Sequence, residues 1–72
     1  MDIRIIIELD NLIDKEITGS PKQLASKLSM TERTVYNYIS FMKKSLNAPI
    51  VYDYQRMSYV YNNDGEFKFI RQ

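Results

Sequence analysis

The sequence predicts a small, mainly α domain that finishes on a β-hairpin, an α+β class. Three observations carry this. Apolar residues recur at helical spacing through residues 3–46. Start and stop signals cut that stretch into three helices. From residue 50 the chain turns to β-branched and aromatic residues separated by turn formers. With 72 residues and no internal repeat or linker, the chain reads as one domain.

The first helix is expected over residues 3–17. Ile6, Leu9, Ile13 and Ile17 recur at spacings of three and four and make one apolar stripe, which Ile5 and Leu12 widen. Ile3 and Ile7 fall partly off it, so this helix carries more apolar surface than one small core needs. Thr18-Gly19 is expected to end it, with Gly19 just past the C-terminus. The second helix, about 21–28, has the strongest start signal in the chain. Ser20 can cap the first turn, Pro21 suits the first helical position, and Gln23 completes a Ser-x-x-Gln capping box. Leu24 and Leu28 point inward beside the small Ala25.

Thr31 is expected to cap the third helix, about 32–46, with Glu32 placed favourably against the helix dipole. Val35, Ile39, Met42 and Leu46 form its inward stripe, flanked by Tyr38 and Phe41. Asn47 and Pro49 stop it. Strands follow at about 50–54 and 58–61, with Asp53 to Met57 as the connection. Asn62-Asn63-Asp64-Gly65 is a second turn. Glu66 to Ile70 alternates polar and apolar residues, which suits an extra C-terminal strand over 66–70.

Composition narrows the chemistry. The chain has neither cysteine nor histidine, so disulfides, thiolate metal sites and most nucleophile–base pairs are excluded. Asp10 and Asp14 lie one helical turn apart and read as a surface pair that aids solubility. No enzyme activity, metal or cofactor is expected. No apolar run approaches the ~20 residues that cross a membrane. Met1-Asp2-Ile3-Arg4 lacks the features of a secretory signal, so a cytoplasmic protein is expected. Net charge is only +1, but it is unevenly spread. Residues 1–19 hold two basic and five acidic side chains, and residues 20–61 hold six basic and two acidic. A basic middle attracts an anionic partner.

The second and third helices, separated by a short turn, suggest a helix-turn-helix. Residues 19–46 resemble that unit in bacterial winged helix-turn-helix transcription regulators, of the DeoR-like type and of the type found at the N-terminus of the biotin repressor. Those share a Leu-Ala-x-x-Leu-x-apolar-Ser/Thr-x-x-Thr-apolar pattern. Here Leu24-Ala25, Leu28, Met30, Thr31, Thr34 and Val35 stand in those places. Ala48 to Asp53 followed by Ser58 to Tyr61 is similar to the family's wing. The resemblance spans roughly residues 5–61. One departure stands out: Ser29 sits where the family usually has glycine. A positive φ there would cost serine on the order of 1 kcal/mol.

The resemblance implies sequence-specific binding of double-stranded DNA, hence transcriptional regulation, with residues 31–46 as the recognition helix in the major groove. The exposed residues of that helix are then Thr31, Glu32, Arg33, Thr34, Tyr36, Asn37, Ser40, Lys43 and Lys44. Arg33 can pair with guanine and Asn37 with adenine. Tyr36 can meet a thymine methyl group or a phosphate. Ser20, Lys22, Thr31 and the amides at both helix starts can hold phosphates. Arg56, at the wing tip, can enter a minor groove or meet the backbone. Plainer roles compete. Tyr36 and Tyr38 can cover core edges, Lys43 and Lys44 suit a helix C-terminus, and Thr34 can bond its own backbone. Tyr52, Tyr54, Tyr59 and Tyr61 read as strand packing, with an aromatic platform for single-stranded nucleic acid as the alternative. The surplus apolar residues of the first helix and the 66–70 strand point to a homodimer. No small-molecule effector domain is expected in this chain. The alternative function is a winged-helix adaptor that binds protein and not DNA.

Overall fold

The computed structural model describes residues 1–62, and these form a small α+β domain. Three helices, α1 (Ile3–Asp14), α2 (Pro21–Lys27) and α3 (Glu32–Ser45), precede an antiparallel hairpin of β1 (Ile50–Asp53) and β2 (Ser58–Tyr61). The strand expected at 66–70 lies outside the described residues, as does the turn before it beyond Asn62.

Each helix starts on a side-chain cap and ends on a left-handed residue. The Asp2 carboxylate accepts the Arg4 amide at 2.9 Å to open α1. The helix then stops at Asp14, three residues short of the expected end. Glu16 adopts φ 60°, its amide donates to the Ile13 carbonyl at 3.0 Å, and the Ile17 amide reaches back to Leu12 at 3.1 Å. This closure satisfies carbonyls of the last turn and swings the chain away. Ile17 therefore leaves the apolar stripe and is 52% exposed.

Gly19 does not end α1, contrary to expectation. It sits at φ 77° immediately before the cap of α2, where a Cβ would come within 2.7 Å of Gln23 Oε1. That oxygen is fixed because it accepts the Ser20 amide at 2.8 Å, while Ser20 Oγ accepts the Gln23 amide, which completes the capping box. α2 ends on Ser29 at φ 56°, with the Ser29 amide on Ser26 and the Met30 amide on Ala25 at 2.9 Å. α3 opens on Thr31 and closes on Asn47 at φ 58°, the Ala48 amide returning to the Met42 carbonyl.

Ile6, Leu9 and Ile13 of α1, Leu24 and Ala25 of α2, and Val35, Ile39 and Met42 of α3 are buried in one core with Ala48, Ile50 and Tyr59. Leu28, Tyr38, Phe41 and Leu46 pack on its edge. Leu46 is the C-cap of α3 and only partly buried, so the inward stripe ends at Met42. α1 packs against β2 and α2 against α3. The hairpin pairs Ile50 with Tyr61, Val51 with Val60, Tyr52 with Tyr59 and Asp53 with Ser58. Alternation puts Ile50, Tyr52, Tyr59 and Tyr61 on one face. Tyr54, where the expected first strand and connection overlap, lies in the loop and is 84% exposed. Asp53 makes that loop. Its Oδ1 accepts the amides of Gln55 and Arg56 at 2.9 and 3.2 Å, and Met57 at φ 51° brings the chain into β2.

Two buried polar contacts tie the hairpin to the helices. Thr18 and Ser58 are fully enclosed. Ser58 Oγ accepts the Thr18 amide at 3.0 Å, Thr18 Oγ1 accepts the Tyr59 amide at 2.8 Å, and the two hydroxyls lie 3.1 Å apart. The interlock joins the α1–α2 connection to β2. Asp10 corrects a second expectation. It is buried rather than solvated, and its Oδ1 accepts the Tyr61 hydroxyl at 2.6 Å.

Two outcomes follow for urea denaturation. Ser29→Gly is expected to stabilise the fold by about 0.5–1 kcal/mol, and Glu16→Gly by less, because it also removes the exposed ion pair to Arg56. The Ser29 figure is the left-handed penalty of about 1–2 kcal/mol less the extra chain entropy glycine surrenders. Asn47→Gly should gain less, because asparagine tolerates this region. Thr18→Val should destabilise by about 1–3 kcal/mol, since it leaves the buried Tyr59 amide without its acceptor.

Candidate nucleic-acid interface

Burial of Val35, Ile39 and Met42 decides which side of α3 faces water. The side away from them carries Arg33, Asn37, Ser40 and Lys44, at spacings of four, three and four, so these share one line along the helix. Arg33, Asn37 and Lys44 are exposed and Ser40 is half-buried. Tyr36 and Lys43 flank the line on one side and the half-buried Thr34 on the other. Glu32, exposed in the first turn, is the only acidic residue between Thr31 and Leu46.

The caps are occupied by their own helices. Thr31 Oγ1 accepts the Thr34 amide at 3.1 Å and lies 3.0 Å from the Thr34 hydroxyl. Ser20 Oγ is held by Gln23, and Pro21 has no amide hydrogen. Among the described residues this leaves only the Lys22 amide open at the start of α2, against those of Glu32 and Arg33 at the start of α3. Lys22 itself is exposed.

The cations divide into two groups. Arg56 lies in the hairpin loop, where Nε meets Glu16 Oε1 at 2.9 Å and the guanidinium meets Asp53 Oδ2 at 2.8 Å. The Arg56 amide and then its guanidinium hold the Asp53 carboxyl below the usual range. Lys27 turns onto the main chain, its Nζ donating to the Ile17 and Thr18 carbonyls at 2.8 and 3.3 Å. Lys15, Lys22, Arg33, Lys43 and Lys44 have no ion-pair partner among the described residues. Three of these five lie on α3.

Beside the outward line, α3 and β2 enclose an open groove of about 550 Å³ lined by Tyr36, Ile39, Ser40, Lys43, Lys44 and Tyr59. None of these is acidic. Tyr59 forms its buried wall, and its ring packs edge-on with Tyr52 at 5.1 Å, which in turn packs edge-on with Tyr54 at 4.9 Å. The helix pattern alone picks out Tyr36, Ser40, Lys43 and Lys44. It misses Tyr59 and Tyr52, which the antiparallel register brings opposite one another on one hairpin face. Counting outward from the centre of the loop would have found that pair.

Among the described residues there is no cluster of three or more potential metal ligands, and no helix is long and apolar enough to cross a membrane. Compared with protein-family models, curated proteins and solved structures, the chain matches none.

Burial pushes the Tyr59 phenol up from its ordinary value near 10 to about 12, with the phenols of Tyr36, Tyr52 and Tyr54 adding to the effect. As pH rises above 10 the unfolded chain loses this proton before the folded one does. The stability that Tyr59 contributes is thus full below pH 10 and is lost between 10 and about 12. Spectrophotometric titration of tyrosinate absorbance should show a late step near that upper value, and Tyr59→Phe should remove it.

Proposed function

We propose that this chain is a winged helix-turn-helix domain that binds double-stranded DNA, with α3 as the recognition helix and the β1–β2 hairpin as the wing. The observation that carries the reading is the composition of the outward line of α3. It joins Arg33, with no ion-pair partner among the described residues, to the amide of Asn37, the hydroxyl of Ser40 and the cation of Lys44. A guanidinium and a carboxamide one turn apart suit the major-groove edges of guanine and adenine. The connection between α2 and α3 adds support. Ala25 is buried on the helix that packs against α3, and Ser29 takes the positive φ that the family's usual glycine would take.

In this arrangement Arg33 and Asn37 contact bases, and Ser40 and Lys44 follow toward the backbone. Lys22, with the open amides at the α3 start, holds phosphates. Arg56 meets DNA only by giving up Glu16 or Asp53. That costs little at an exposed pair, because solvent already screens it. Regulation of transcription is the biological role that follows.

Fluorescence anisotropy with a labelled random-sequence duplex tests this. Binding near 10⁻⁵ M or tighter is expected at low salt, and it should weaken steeply as salt rises, on the order of 0.9 log units per log unit of salt for each phosphate contacted. Lys44→Gln should flatten that slope. Arg33→Ala and Asn37→Ala should each cost about 1–3 kcal/mol on a selected site and relax its specificity. Absence of duplex binding at low salt, by protein shown to be folded, would overturn the reading and favour a protein-binding adaptor.

A further inference from the structure

The outward line of α3 leaves one feature of the surface unused. Tyrosine rings run from the hairpin loop to α3. Tyr54 packs edge-on against Tyr52, Tyr52 packs edge-on against Tyr59, and Tyr59 shares the groove with Tyr36. The inner rings are fixed. Tyr59 is in the core, and Tyr52 is half-buried against it. The outer rings are open, Tyr54 at 84% and Tyr36 at 50% exposure. Open rings thus lie at both ends of a run that passes through Tyr52 and Tyr59.

The chemistry around the rings selects the occupant. Lys43 and Lys44 line the same groove without an ion-pair partner among the described residues, and no acidic side chain lines it. The partner is therefore anionic and carries flat faces that stack. A duplex supplies the charge but keeps its base faces stacked inside, so side rings cannot reach them. A single strand supplies both, since its bases are free to stack and its phosphates lie within reach of lysine.

We propose that the Tyr54–Tyr52–Tyr59–Tyr36 surface, with Lys43 and Lys44, binds single-stranded DNA. Tyr54 and Tyr36 stack on unpaired bases, and the lysines meet the intervening phosphates. Tyr52 and Tyr59 hold the two stacking rings in place from behind. This site shares Lys44 with the outward line of α3 but neither Arg33 nor Asn37, and it does not depend on the duplex reading.

The test uses a fluorescein-labelled oligothymidylate of about fifteen nucleotides, a length within the usual site size of single-strand binders. It is titrated with the whole chain at low salt, and a random duplex is titrated in parallel. Tyr54→Ala is expected to weaken oligothymidylate binding about tenfold, and Tyr54→Phe to keep it within about twofold, since stacking needs the ring and not the hydroxyl. Tyr36→Ala should weaken it similarly. Because Tyr54 is so exposed, the variants should melt with the parent, and circular dichroism checks this. The proposal is overturned if the folded chain does not bind oligothymidylate, or if both alanine variants bind it as the parent does. Failure of duplex binding with single-strand binding retained would instead overturn only the preceding reading.

Discussion

The buried exchange between Thr18 and Ser58 is the contact on which the arrangement of the domain depends. Two four-residue strands do not make a stable sheet alone. Here the hairpin is held because the Thr18 amide and the Tyr59 amide, both out of reach of water, find their acceptors only in each other's segment. The contact is reciprocal, so a shift of either segment leaves two buried donors unpaired. It therefore sets the register of β2 against the α1–α2 connection. With that register set, Tyr59 faces α3, and Tyr61 reaches Asp10. The groove beside α3 exists because a threonine four residues past the end of α1 is buried.

A second constraint comes from the helix ends. α1, α2 and α3 are closed by Glu16, Ser29 and Asn47 in left-handed conformation, and none of the three is glycine. Among the described residues glycine stands instead at position 19, where a Cβ would meet the Gln23 side chain held in the capping box. The helix ends need only a tolerated backbone angle, whereas the entry to α2 needs both the angle and the missing Cβ. The resulting connections are short, and they bring cap, turn and next helix together within a few residues.

The parts of the fold legible in the sequence are those fixed by neighbours along the chain. The Ser20-Pro21-Lys22-Gln23 start of α2, the inward Val35, Ile39 and Met42, and the β-branched and aromatic hairpin each declare themselves locally. What local reading misplaced depends on distant partners. Ile17 continues the spacing of Ile6, Leu9 and Ile13, but Glu16 turns the chain first, and glutamate is an unusual residue for that task. Asp10 looks like a solvated carboxylate until a tyrosine 51 residues away donates to it. Thr18 and Ser58 carry no pattern that marks them as partners. On the candidate site, helical spacing alone separates the outward line of α3 from the core. The division of the cations does not follow from it, because Arg56 and Lys27 are engaged by groups from other parts of the chain.

The span of the Thr18–Ser58 contact also bears on the order in which the chain acquires its structure. α2 and α3 are adjacent in sequence, so their packing closes only a short loop. The interlock joins residues 40 apart and must wait for a costlier closure. Docking of the hairpin is thus expected as the late event of folding. Until it occurs, Ile50, Tyr59 and Val60 are open to water on a free strand edge, the kind of surface that recruits other chains. The same polar contact that orders the finished domain therefore limits how long its stickiest segment stays uncovered.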